Sequence, residues 1–199
     1  MVNFLGTPKI ETERLILRKM YIRDTQAAFD HWLSDERVAD HRVNAPHKSI
    51  SETSERVEKV ISGYEKTDFC YWGIELKHNG VLIGEIDFYN FDSSTDNCEV
   101  SYSIGHKWWN QGYGTEALKA VVEFGFKHMN LHKISGSHNM DNPASGRIMR
   151  KVGMEQEGMI RHMIRNYKNQ YKDCAVCGIL QEDYFHNNAN TESCILKIG

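Results

Sequence analysis

Asn110-Gln111-Gly112-Tyr113-Gly114-Thr115-Glu116, running straight into the apolar-periodic segment 117–129, is the stretch on which the reading of this chain turns. Before it, Cys98-Glu-Val-Ser-Tyr-Ser-Ile104 mixes β-branched and aromatic residues with polar ones in the short alternation of a half-buried strand. After it, Leu118, Val121, Val122, Gly125 and Met129 recur at three- and four-residue spacing, so one helix face is apolar and can pack on a sheet. Strand, glycine loop and helix therefore follow one another. The first turn of a helix has backbone N–H groups with no internal partner, and the helix dipole adds partial positive charge there. Glycines at 112 and 114 let the backbone take positive φ and approach a ligand, so that successive N–H groups converge on an anion. The expected ligand is a phosphate ester or pyrophosphate.

A G-x-G before a helix can also be no more than a tight connection. Gln111 adds a donor beside the glycines, and the competing phosphate motifs fail. No G-x-x-x-x-G-K followed by Ser or Thr is present; the third glycine of a dinucleotide fingerprint would fall at Ala117, and the βαβ context with a later acidic residue is missing.

The 199 residues, 40% hydrophobic and 26% charged, suit a globular protein, expected as one domain over 1–199 with a core at about 10–185. No apolar run approaches the ~20 residues of a membrane span, and the start lacks a basic-then-apolar signal, so a cytoplasmic location and no membrane partner are expected. A net charge of −3 leaves no basic footprint for nucleic acid. Five cysteines, an odd number, read as reduced thiols. Cys174-Ala-Val-Cys177 has the spacing of half a zinc site but no second pair follows, and the ten histidines show no ligand spacing; no metal is expected.

In chain order, residues 13–19 alternate as a strand. Asp24 can cap a helix with Ala28, Phe29, Trp32 and Leu33 as its stripe, and after a polar stretch 34–48, Ser49-Ile-Ser-Glu52 has capping-box spacing before a second helix with Val57, Val60, Ile61 and Tyr64. Residues 69–76 and 81–91 are strand-like around the hairpin signal Asn79-Gly80, and lead to the strand 98–104. Beyond the central helix come a strand at 132–138, a short helix 144–152 closed by Gly153, strands at about 155–165 and 173–180, and a loosely held tail from His186. Arg161, His162, Arg165 and Lys168 read as a solvated hairpin face, and Trp72, Trp108 and Trp109 as packing. The order β-α-α-β-β-β-α-β-α-β-β is that of a mixed α/β sheet.

Gln111-Gly112-Tyr113-Gly114-Thr115 resembles, in shortened form, the Q/R-x-x-G-x-G/A pyrophosphate loop of the GNAT superfamily of acyl-CoA N-acyltransferases. Thr12-Glu13-Arg14-Leu15-Ile16-Leu17-Arg18, Leu82-Ile83-Gly84, Glu99-Val100-Ser101-Tyr102, Asn142-Pro143-Ala144-Ser145, Val152 to Gly158 and Tyr171-Lys172-Asp173 are similar to the RimJ/RimL-like branch, in family order. The resemblance implies a mostly antiparallel sheet, flanked by helices, whose strands before the loop and after the central helix splay apart to admit a pantetheine arm. It also implies an acetyl-CoA-dependent N-acetyltransferase, with acetyl-CoA held by Gln111, Gly112, Tyr113, Gly114, Thr115, Ser103, Ile104, Asn142 and Ser145. A primary amine on a protein N-terminus, amino acid or small molecule is the acceptor, and the chain is a monomer or homodimer.

Direct transfer needs a neutral amine; at pH 7 an α-amine is roughly 10–20% neutral and a lysine well under ~0.1%. Glu99 is the first candidate for the base, with Glu85 and Asp87 on the neighbouring strand behind it. Backbone N–H groups of Ser103, Ile104 and Gly105 occupy the stretch that polarises the thioester oxygen. The tyrosine that many members place on the helix after the asparagine turn is Met149 here, and Ser145 is the alternative donor to the sulfur unless it serves only as a helix-start residue. Ile164 stands where ribosomal-protein acetylating relatives carry a glutamate. These departures keep a second reading open, a non-catalytic acyl-CoA-binding or regulatory module; a nucleotide-binding protein is a third.

Overall fold

In the computed structural model, which describes residues 1–188, eight strands form one sheet in the order β1-β2-β3-β4-β5-β6-β8-β7. They are β1 (Ile10–Glu11), β2 (Leu15–Arg18), β3 (Cys70–Leu76), β4 (Leu82–Asp92), β5 (Asn97–Ile104), β6 (Lys133–Asn139), β7 (Glu155–Arg165) and β8 (Tyr171–Leu180). The helices are α1 (Thr25–Ala28), α2 (Glu36–Ala39), α3 (Ile50–Gly63), α4 (Tyr113–Lys127), α5 (Pro143–Lys151) and α6 (Gln181–Asn188). Every neighbouring pair is antiparallel except β5–β6, which is parallel because α4 carries the chain across between them.

Hydrophobic alternation places the sheet between two cores. Leu15, Leu17, Trp72, Ile74, Ile86 and Val100 face Leu118, Val121 and Phe124 of α4, whereas Met20, Tyr71 and Leu82 face Trp32, Val57 and Val60 on the opposite side. α4 is buried along most of its length, as its apolar periodicity predicts.

The β5–β6 pairing covers only Asn97↔Lys133, Cys98↔Ile134 and Glu99↔Ser135. Beyond Glu99, β5 stays with β4 as far as Ile104, while β6 stays with β8 as far as Asn139. A wedge therefore opens along about 17 Å of β5, at the usual rise per residue.

Local departures from the expected elements have physical causes. The first helix is α-helical only to Ala28 and then widens into one π turn, Phe29–Leu33, closed by the Ser34 N–H and hydroxyl on the Phe29 carbonyl at 3.2 and 2.6 Å. Asp24 does not cap it, because its carboxylate is taken by Arg18 at 2.7 and 3.0 Å and by the Tyr21 N–H at 2.8 Å. The stretch read as polar loop at 34–48 contains α2, capped by Asp35 on the Arg37 N–H. Ser49 caps α3 at 3.3 Å, but the Glu52 carboxylate turns to the Lys48 N–H rather than closing the box on Ser49. The start of the tail is α6, with Tyr184 buried against Phe126; the remainder, 189–199, lies outside the described residues.

Cys70, Cys98, Cys174 and Cys177 are free and buried. Among the described residues no cluster of three or more His, Cys, Asp or Glu could hold a metal, and no helix is long and apolar enough to cross a membrane.

Candidate functional site

The glycine loop enters α4 sooner than periodicity suggested. Gly112 takes φ +85° as N-cap, so Tyr113, Gly114 and Thr115 already form the first turn, and the first helical bond is Glu116 N–H to the Gly112 carbonyl at 3.0 Å. No acceptor among the described residues receives the N–H groups of residues 111–115. The Gln111 carbonyl is turned away onto Arg14 Nη1 at 3.0 Å, and its side-chain amide donates back to the Lys107 carbonyl at 2.9 Å instead of reaching forward as an extra ligand donor.

The two glycines have different reasons to be glycine. Gly112 needs its positive φ. Gly114 is buried, and a Cβ there would stand 3.0 Å from Ile148 Cδ1, so it permits the close packing of α4 on α5. Sequence reasoning missed Arg14. Its guanidinium lies 4.6 Å over the Tyr113 ring, and its Nε holds Glu116 at 2.7 Å, with the Arg14 N–H at 2.8 Å and Thr12 Oγ1 at 2.6 Å on the same carboxylate. A first-turn carboxylate would oppose an incoming anion, and this neighbour offsets it.

The wedge leads away from that turn. The Gly105 N–H goes to the Ile83 carbonyl at 2.8 Å. Strand alternation then turns the N–H of Ser103 toward β4 and those of Tyr102 and Ile104 toward the wedge. Of the three amides expected to polarise an oxygen, only that of Ile104 faces the opening. The Ile104 carbonyl is occupied by Trp109 Nε1 at 2.6 Å, which fixes the upper end of β5. Across the wedge, Asn142 caps α5: its Oδ1 accepts the Ser145 N–H at 3.3 Å and its Nδ2 donates to Ser145 Oγ at 3.0 Å. Met149, one turn on, is buried against Gly136.

The sequence pattern of the acetyltransferase (GNAT) domain matches residues 14–155, most of the chain. The chain belongs to the GNAT acetyltransferase family. The uncharacterized N-acetyltransferase YoaA of Bacillus subtilis is 31% identical over 162 residues, covering 81% of this chain and 90% of that protein. The ribosomal protein uS5-alanine N-acetyltransferase of Escherichia coli is 24% identical, covering 90% and 95%. Among solved structures, a GNAT acetyltransferase from Bacillus anthracis superposes with TM-score 0.77 at 28% identity, covering 87% of this chain and 99% of that one. This GNAT chain is thus an N-acetyltransferase of the RimJ/RimL-like branch, and the β5–β6 wedge is the splay that the family resemblance implied.

The face of the GNAT sheet turned away from α4 carries the carboxylates. Glu99 sits at the closed end of the wedge, half-buried, with both oxygens engaged by Tyr89 Oη at 2.9 Å and Asn90 Nδ2 at 3.0 Å. Glu85 is 4% exposed and is held by Arg56 at 2.7 Å, Arg42 at 3.1 Å and the Tyr71 hydroxyl. Burial alone would raise its pKa, but the two guanidinium charges and the Tyr71 hydrogen bond outweigh it and bring the pKa down to about 2. Asp87, opposite Ser101 on β5, goes the other way. Burial pushes it up to about 6, aided by the Glu85 charge and opposed by the 2.6 Å hydrogen bond from Ser101 Oγ.

The connection between α2 and α3 meets the β7–β8 hairpin at one point. Asp40, just beyond α2, accepts from the Tyr167 hydroxyl at 3.0 Å and pairs with Lys168 at the tip of the β7–β8 hairpin. Arg161, His162 and Arg165 are exposed on that hairpin.

Proposed function

We propose that this protein is an acetyl-CoA-dependent N-acetyltransferase that transfers the acetyl group directly to a primary amine. The observation that carries the reading is the set of unpartnered amide hydrogens at residues 111–115, gathered at the N-terminus of α4 beside the open wedge. Gln111, Gly112, Tyr113, Gly114 and Thr115 offer these amides to the diphosphate. The amides of Tyr102 and Ile104 run beside the pantetheine arm, and Asn142 and Ser145 border it on the α5 side. Ser103 contributes its place on β5 rather than its amide. The full-length match to an enzyme that acts on the alanine of ribosomal protein uS5 supports an amino-terminal acceptor among the primary amines.

For the base, we favour Asp87 over Glu99. A carboxyl with pKa near 6 is ionised at pH 7 and still basic enough to accept a proton, whereas Glu85 at about 2 is an inert counter-ion for two arginines. Glu99 is held by its two hydrogen bonds at the closed end of the wedge. In the proposed sequence Asp87 takes the proton of the attacking nitrogen, directly or through one water, and the Ile104 N–H polarises the thioester oxygen.

Calorimetric titration with acetyl-CoA, together with free-thiol release over a panel of peptides, amino acids, polyamines and aminoglycosides, tests the reading. Binding with thiol release for at least one amine is the expected result. Binding without release for any acceptor favours the non-catalytic module instead, and competition by ATP but not by CoA favours a nucleotide site.

A further inference from the structure

The α5 position from which many family members donate to the departing sulfur is apolar here. Met149 fills it, 2% exposed, with its Cε 3.1 Å from where a Cβ on Gly136 would stand. The opposite wall carries a hydroxyl. Tyr102 lies on β5 past the last β5–β6 pair, and its ring packs with the core that holds Val100 and Ile104, on the side of α4 and α5. Its hydroxyl crosses to the first turn of α5 and donates to the Ser145 carbonyl at 3.2 Å. That contact spans the wedge the pantetheine arm would occupy. It is also a long bond to a neutral carbonyl and so is readily exchanged for a stronger, charged acceptor. Burial raises the Tyr102 pKa above that of an ordinary tyrosine, so the phenol stays protonated and acts as a donor.

We propose that Tyr102 is the catalytic donor to the departing sulfur, its hydroxyl passing from the Ser145 carbonyl to the thiolate as the thioester bond breaks. This rests on the acetyl-CoA reading above. As the carbon–sulfur bond breaks, its electron pair goes to sulfur; the Tyr102 hydroxyl gives its hydrogen bond to the thiolate, which takes its proton from solvent, and Asp87 afterwards releases the amine's proton back to solvent. The proton lost by the attacking nitrogen goes to Asp87, so each proton has one source and one destination. The role that the helix plays elsewhere in the family is thereby supplied from the strand, two residues before Ile104.

Tyr102→Phe keeps the ring and removes the hydroxyl. Two readouts apply. In single-turnover thiol release with acetyl-CoA and the best acceptor, the variant should fall about 10²-fold, with KM for acetyl-CoA within about twofold. In calorimetry at about pH 9, where a thiol is largely ionised, the wild type should bind CoA about tenfold more tightly than desulfo-CoA, and the variant should lose that preference. The proposal is overturned if the preference and a release rate within about threefold of wild type both survive, or if Ser145→Ala rather than Tyr102→Phe removes them. Failure of the transferase reading would look different. The wild type itself would then release no thiol with any acceptor, while the CoA to desulfo-CoA preference could still be measured.

Discussion

At the α4 end of the cleft the polar groups are backbone: amide hydrogens of residues 111–115, held outward by a positive φ at Gly112 and by Arg14 on the Gln111 carbonyl. At the β3–β4 end they are side chains drawn from distant parts of the chain, with Arg42 and Arg56 converging on Glu85 beside Asp87 and Tyr71. The first end, which we propose binds the diphosphate common to CoA esters, can be built from one local stretch. The second end must hold charge in a nearly dry place, where the balance between burial and neighbouring charge sets the proton affinity of each carboxylate. Glu85 and Asp87, two residues apart on one strand, end on opposite sides of the ordinary carboxylate pKa because only Glu85 receives the arginines.

The sharpest way to break this contrast is Glu85→Ala, which strands two guanidinium groups and should cost about 3–5 kcal/mol in denaturant unfolding. In the intact protein the Glu85 contribution is fully present above its unfolded value, 4.5, and is lost as pH falls through about 2. A tolerated Glu85→Ala would mean that the cluster is not a unit.

Asp87→Asn should lower kcat about 10²-fold and abolish the decline in activity expected of the wild type below about pH 6. Stability should move the other way. A carboxyl whose folded pKa is raised binds more protons folded than unfolded, so the wild type loses stability as pH rises from 3.8 to about 6. Asp87→Asn should therefore be the more stable protein at pH 7 in thermal melts, with the gain gone near pH 4. Unchanged kinetics there, with a pH-dependent loss in Glu99→Gln, would return the role of base to Glu99.

Thr115→Asp addresses the backbone end. A carboxylate in the first turn suits the helix dipole, so the melting temperature should not fall, yet acetyl-CoA affinity should drop roughly tenfold by calorimetry, about 1.4 kcal/mol. Unchanged affinity would remove the diphosphate from the loop. The smallest effect is expected from Asp40→Ala. Its pair with Lys168 is exposed and its contact with Tyr167 only part-buried, so stability should hardly move, and the change should surface only in KM for the acceptor, not for acetyl-CoA.

What could be read from residue order was whatever depends on near neighbours. Leu118, Val121 and Val122 announce α4 by their spacing, Asn79-Gly80 announces the β3–β4 turn with Gly80 at φ +69°, and Gly153 announces the end of α5. The glycine loop belongs with these, because unpaired amides at a helix start follow from helix geometry alone. Spacing assigns the carboxylates of Asp24 and Glu52 to helix caps, whereas Arg18, six residues before Asp24, and the Lys48 N–H, four before Glu52, claim them.

Tertiary structure alone decided the rest. Nothing along the chain says that Arg14 would neutralise Glu116 102 residues away, that the Tyr102 hydroxyl would reach Ser145, or that Glu85 rather than Asp87 would receive Arg42 and Arg56. A helix terminus carries its field wherever the helix goes, and is therefore written in sequence. The proton affinity of a buried group is set by which charges the fold brings within a few ångströms, and that is settled only when the sheet has closed.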